Sequence, residues 1–281
     1  MSSRHTLIIA LLVICFHGSK STFASGILSQ YSMDAAHLNQ WKLPNKLKEV
    51  SGLALSRDNR LFAHNDESAT IFELDYKHGK IVSEFRLGKI RDDFEGIAVV
   101  QDHIYLLSSK GTLYKSPIGD NGVRTHYQRF KTGLHKHCEF EGLTYQVETN
   151  SLLLLCKTSY KKKHKHQLLI YSWSLDSLSV IRNNTIRVDD RPILKKLNSK
   201  RVQPSGITID QKTGNLLLVA SAQKALIELS ANGDLIKAIR LPLPDQHRQP
   251  EGIALSGDGK LFIADEGGKH KARLSIYTLK D

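Results

Sequence analysis

From residue 50 onward, the apolar positions fall in short runs of about four to seven residues, with polar turn formers between them. No stretch keeps the 3.6-residue period of an amphipathic helix for long, so the pattern predicts an all-β chain. The runs also recur. Ser51-Gly52-Leu53-Ala54, Glu95-Gly96-Ile97-Ala98, Glu141-Gly142-Leu143-Thr144, Ser205-Gly206-Ile207-Thr208 and Glu251-Gly252-Ile253-Ala254 follow one another at steps of 44, 46, 64 and 46 residues. A repeat of this length marks stacked structural units, each too small to bury its own apolar face.

Each copy opens a first run, and a second follows after a turn such as Arg57-Asp58-Asn59 or Gly257-Asp258-Gly259. The second runs are Leu61-Phe62-Ala63, His103 to Leu107, Leu152 to Cys156, Asn215 to Ala220 and Leu261 to Ala264. Third runs come next, and four of the units add a fourth: Ile81 to Leu87, His126 to Phe130, Leu178 to Val188 and Leu235 to Leu241. Four strands in about 45 residues make one propeller blade. The prediction is therefore a five-bladed β-propeller with four antiparallel strands per blade. The fifth unit stops after its third run, and Gln30 to Leu43 is left over at the other end. That segment is expected to supply the missing outer strand, closing the ring and removing an unpaired edge. The 64-residue step has about 18 residues too many for its blade and too few for another. Part of the excess is read as a basic loop, Tyr160 to His166, between the second and third strands of the third blade, and more sits around Asp189 to Arg201, with Lys195, Lys196 and Lys200.

Residues 1–26 read as a signal peptide: Arg4 and His5, an apolar stretch from Leu7 to Phe16, then small residues at Ala24-Ser25-Gly26. The apolar stretch is shorter than the roughly 20 residues a membrane-spanning helix needs. Export to the periplasm or cell envelope is expected, with an uncleaved N-terminal segment as the alternative that would attach the protein to the inner membrane. Residues 27–281 are then one propeller domain. An exported chain can oxidise Cys138 and Cys156. A turn near Thr149-Asn150 sets the pair about three residues out of register, which argues against that bond.

The net charge of +12 points to solubility or to an anionic partner. Nucleic acid is not the expected partner, because no aromatic stacking platform accompanies the lysines. His135 with His137, and His164 with His166, alternate as metal ligands can, without a third ligand at set spacing.

The chemistry is sought in the residue before each repeat glycine. Innermost propeller strands crowd at the axis, which accounts for the glycines. Glu95, Glu141 and Glu251 occupy one repeat position and so stand at one height around the channel. Carboxylates converging there repel, and burial raises their pKa values further. A cation relieves both costs, and calcium suits irregular oxygen ligation. Ser51 and Ser205 complete the circle, and the second-run ends add Asn65, Asp66, Glu67, Asp265 and Glu266 nearby. The competing reading makes the glutamates blade-to-blade ties to backbone N–H groups or lysines.

Asp93-Phe94-Glu95-Gly96, Glu139-Phe140-Glu141-Gly142-Leu143, Pro204-Ser205-Gly206, Gln249-Pro250-Glu251-Gly252-Ile253-Ala254 and Ile263-Ala264-Asp265-Glu266 together resemble the SdiA-regulated family of exported or membrane-anchored bacterial proteins. The resemblance covers most of residues 40–281. It implies a five-bladed propeller, distantly similar to NHL-repeat proteins, with a calcium site and no established activity. It implies Glu95, Glu141, Glu251 and Glu266 as ligands; Asp66 is added on position alone. Two functions follow. The first is a non-catalytic, calcium-binding scaffold that presents one face of the ring to a small-molecule or protein ligand. The alternative is a calcium-dependent hydrolase of lactonase, esterase or phosphoesterase type. It needs a general base, for which His64 is nearest in sequence to the proposed site.

Overall fold

The computed structural model describes residues 26–242 and 245–280, and it is a five-bladed propeller. The predicted signal lies outside the described residues, Gly26 excepted. Blade one runs Val50–Leu55, Leu61–Asn65, Thr70–Asp75 and Lys80–Leu87 from the axis outward. Blade two is Phe94–Val100, His103–Ser108, Thr112–Pro117 and Gln128–Lys131. Blade three starts with Cys138–Gln146, Ser151–Ser159 and Gln167–Ser174. Its outer edge is split between Ser179–Val180 and Ile186–Asp189, both paired with Gln167–Ser174. Blade four is Gly206–Ile209, Leu216–Ala220, Ala225–Leu229 and Leu235–Arg240. Blade five holds Pro250–Leu255, Leu261–Asp265 and Arg273–Tyr277.

The N-terminal strand Leu38–Lys42 completes blade five, pairing antiparallel with Arg273–Tyr277 along its whole length. The chain ahead of it is docked as well. Buried Glu228 accepts from the N–H groups of Ile27 (2.8 Å) and Leu28 (2.9 Å), and the Tyr31 hydroxyl donates to the Gly259 carbonyl at 2.8 Å. A further tie joins blades one and two: Arg124–Thr125, from the outer loop of blade two, pairs in parallel with Lys80–Leu87.

The cores lie between blades. Leu143, Leu154 and Trp173 of blade three pack with Ala98, Tyr105 and Leu107 of blade two. The opposite face of blade three packs on blade four through Leu153, Leu155, Ile207 and Leu218. A β-strand shows alternate residues to opposite faces, so unbroken apolar runs such as Leu152 to Leu155 serve two neighbours at once. The repeat glycines have the steric role expected. A Cβ on Gly96 would stand 2.7 Å from the Leu143 nitrogen, and one on Gly206 would stand 2.4 Å from the Glu251 carbonyl oxygen.

Two features depart from the sequence reading. Within the excess at 189–201, Arg191–Leu197 forms a helix, α1, which starts with proline in its first turn and is capped by Asn198 in the left-handed region (φ 45°). Ile193 and Leu197 bury one side of it. Cys138 and Cys156 do form a disulfide, with Cα atoms 5.6 Å apart. The expected offset exists, since Cys138 faces Ser159; two register irregularities between Cys138 and Gly142 absorb it.

Candidate functional site

In every blade, the inner strand begins where the second strand ends, so the residues before the repeat glycines share one mouth of the channel. The pairing register explains why they face the axis. Val50 pairs with Asn65 and Gly52 with His64. Phe94 pairs with Ser108 and Gly96 with Leu107, Phe140 with Cys156 and Gly142 with Leu155, and Pro250 with Asp265 and Gly252 with Ala264. Ser51, Glu95, Glu141 and Glu251 are thus the extra residues of β-bulges, which bend a strand and re-aim its side chain. Ser205 stands just ahead of the shorter strand in blade four.

Ser51, Glu95, Ser205 and Glu251 line an axial void together with the five repeat glycines. The volume open to the centre of a water molecule is about 10 Å³, room for about one water or one ion. Ser51 donates to Glu95 at 3.1 Å, while the Ser205 hydroxyl is spent on the Pro250 carbonyl at 2.8 Å. Burial, then repulsion from Glu141 and Asp93, pushes the Glu95 carboxyl up to about 9. Burial and then Glu141 push Glu251 up to about 7, against hydrogen bonds from Ser221 and Gln249.

Glu141 has a different partner, which sequence reasoning missed. Lys157 is the extra residue of a bulge on the opposite strand, because Glu139 pairs with Thr158 while Phe140 pairs with Cys156. Two facing bulges release both side chains from the strand alternation, and the Lys157 ammonium donates to the Glu141 carboxylate. Glu139 lies 3.9 Å from the same ammonium. Burial pushes Glu141 up to about 7, with Lys157 opposing and Glu139 adding to it. Burial works to lower the Lys157 pKa, but Glu141, Glu139 and Glu95 prevail and raise it. The available signal was a lysine one residue past Cys156, across from a Glu-Phe-Glu sequence.

The remaining candidates stand apart from the void. Glu266 accepts from the Gln249 side chain, and its pKa is raised by burial, then by Asp66 and Glu49. Asp66 is raised by burial, then by Glu49 and Glu67. These acids form a group on the blade-one and blade-five side of the mouth. Asp265 is occupied by His247, whose ring nitrogens lie 2.9 Å from Asp265 Oδ2 and 2.8 Å from Tyr277 Oη, all three residues being buried. His64 is fully buried behind Gly52; its Nδ1 lies 2.9 Å from the Asn65 carbonyl oxygen, its Nε2 has no partner, and burial pushes its pKa down to about 4.

Residues 24–270 match the family model described as SdiA-regulated. This chain belongs to the SdiA-regulated family. Solved structures with similar folds include the glutaminyl cyclase of Myxococcus xanthus, at 15% identity over 86% of this chain and 96% of that one, with a TM-score of 0.60. A Trichoderma reesei protein of Carbohydrate-Active Enzymes Family AA12 aligns at 10% identity over 88% and 97% of the two chains, with a TM-score of 0.56. Likeness at these identities bears on the fold alone.

The calcium that the SdiA-regulated resemblance implies can be weighed against the side chains. Carboxylates and a serine hydroxyl are the hard oxygen donors calcium takes. As they stand, no three acidic, histidine or cysteine side chains among the described residues converge on a common ion position. The donor chemistry fits a calcium ion, but the arrangement as it stands does not, since Glu141 is turned toward Lys157 and is not among the residues lining the void.

Proposed function

We propose that this SdiA-regulated propeller is an exported, non-catalytic binding protein of the bacterial cell envelope. Its axial Glu95, Glu141 and Glu251 take calcium in exchange for the Lys157 ammonium, and its mouth face presents a small-molecule or protein ligand site. The observation that carries this reading is that bulges aim acidic residues at one small void while only Glu141 is given a lysine. Glu95 and Glu251 are met by neutral donors, Ser51 for the first and Ser221 with Gln249 for the second. When bound, calcium supplies the positive charge that these two carboxylates otherwise lack. Lys157 is then free to face the solvent at the mouth. The hydrolase alternative draws no support from His64, which lies behind Gly52 with its ring out of solvent.

Thermal melting with calcium and with chelator tests the reading. Calcium should raise the melting temperature of the parent protein, a ligand at a hundred times its Kd adding about 2.7 kcal/mol. The rise should vanish in the E95Q/E141Q/E251Q variant and grow in Lys157→Met, where no ammonium competes. Identical melting of the parent in both conditions overturns the calcium claim. Turnover of lactones, aryl esters or phosphate esters in the presence of calcium overturns the non-catalytic one.

A further inference from the structure

The mouth face is charged unevenly, and its basic half is built from three separate connections. The segment 132–137 enters blade three, the segment 160–166 joins its second and third strands, and α1 with residues 198–201 leads from blade three to blade four. All three lie at the mouth end, because that is where inner strands start and second strands finish. They are held side by side. The Tyr160 N–H donates to the His137 carbonyl at 3.0 Å, and His166 Nδ1 lies 3.4 Å from Asp190 at the start of α1. Arg191 is paired with Asp189, whereas among the described residues Lys136, Lys161, Lys162, Lys163 and Lys165 have no ion-pair partner. The crowding registers on His137, whose pKa is held down by burial and then by Lys161, His135, His164 and Lys163. Across the mouth, charge is mixed: Glu49, Asp66, Glu67 and Glu266 on blades one and five share their connections with Lys48, Lys269 and Lys271.

We propose that the blade-three edge of the mouth face docks on an anionic phospholipid surface, bringing the axial mouth close to the membrane. A row of uncompensated lysines on neighbouring loops is what a negatively charged leaflet attracts. The single large aromatic beside them, Tyr160 at 56% exposure, suits the headgroup level, where amphipathic rings settle. A strand of nucleic acid would need a series of stacking rings, and the patch has one. The uneven face orients the contact: a planar anionic surface gains most at blade three, where neighbouring loops bring five lysines together without ion-pair partners, and less at blades one and five, where carboxylates offset the lysines. The proposal does not rest on the calcium reading, and its test is run in chelator so that calcium cannot bridge carboxylates to lipid.

The test is sedimentation of the exported protein with vesicles of phosphatidylglycerol in phosphatidylcholine, and with phosphatidylcholine alone. Every variant carries the same N-terminus, so differences between them report on the patch. Binding is expected to the anionic vesicles only, to weaken with salt, and to fall about tenfold or more in K161E/K163E/K165E. A charge-matched control on the opposite face, K77E/K80E/K212E, should keep most of the binding. Equal loss in both triple variants reduces the effect to net charge and overturns the proposal. So does failure of the parent to bind anionic vesicles, or equal competition by duplex DNA or free inorganic phosphate.

Discussion

Glu141 and Lys157 meet because each is the unpaired residue of a bulge, and a bulge is the one place in a strand where a side chain escapes the two-residue alternation. The same device turns Ser51, Glu95 and Glu251 toward the axis. His64 shows the opposite outcome at the neighbouring position. It pairs with Gly52, where the other blades place Leu107, Leu155, Val219 and Ala264 opposite their glycines. Its imidazole fills the space Gly52 leaves and keeps an unpartnered nitrogen. Its pKa falls from 6.5 to about 4 on folding, so the unfolded chain binds the extra proton. Stability from this group is complete above about pH 6.5 and is lost as pH falls toward 4. Between pH 7 and pH 5 the parent should lose roughly 2 kcal/mol through His64. Urea unfolding of His64→Leu should show that share of the acid sensitivity gone, and undiminished sensitivity would refute the assignment.

At the scale of elements, the inner end of blade three is held by the disulfide as well as by its ladder. Cys138 and Cys156 flank the double bulge, each next to one member of the Glu139–Lys157 pair. The bond closes a loop with a sequence separation of 18 residues, for which chain entropy alone gives about 3 kcal/mol. C138S/C156S should lower the urea midpoint accordingly and, with the bulges less constrained, weaken the preference of Lys157 for Glu141. Calcium should then raise the melting temperature more in this variant than in the parent, and a smaller rise would count against the coupling. The bulges themselves were not legible in the sequence. Hydrophobic alternation locates the strands, but whether two residues face one across a ladder depends on the partner strand. The helix α1 escaped for a related reason: seven residues with Ile193 and Leu197 inward are too few for a helical period to stand out among basic residues.

For the whole molecule, closure is the decisive feature. Leu38–Lys42 covers the edge of Arg273–Tyr277, and the segment before it is tied down by Glu228 and Tyr31. A chain starting at residue 44 leaves that edge open, and an open edge pairs with another chain. Light scattering after size exclusion should find the truncated protein dimeric or aggregated where the parent is one ring; a stable monomeric truncation would mean that the latch is dispensable. Family membership over residues 24–270 agrees with this architecture, since the matched span includes the latch strand Leu38–Lys42 and the two inner strands of blade five.

The repeat spacing, the glycine at each inner strand, the count of five blades and the origin of the closing strand were all determined by the amino-acid sequence alone, because each follows from local periodicity and from a count of strands. Tertiary structure decided what the acidic positions do. Glu95, Glu141 and Glu251 are equivalent by repeat, yet one faces an ammonium and two face hydroxyl or amide donors, and the difference comes from residues brought close only by folding. Lys157 lies 16 positions from Glu141 in the chain, and only the mutual pairing of two bulged strands places the ammonium on the carboxylate.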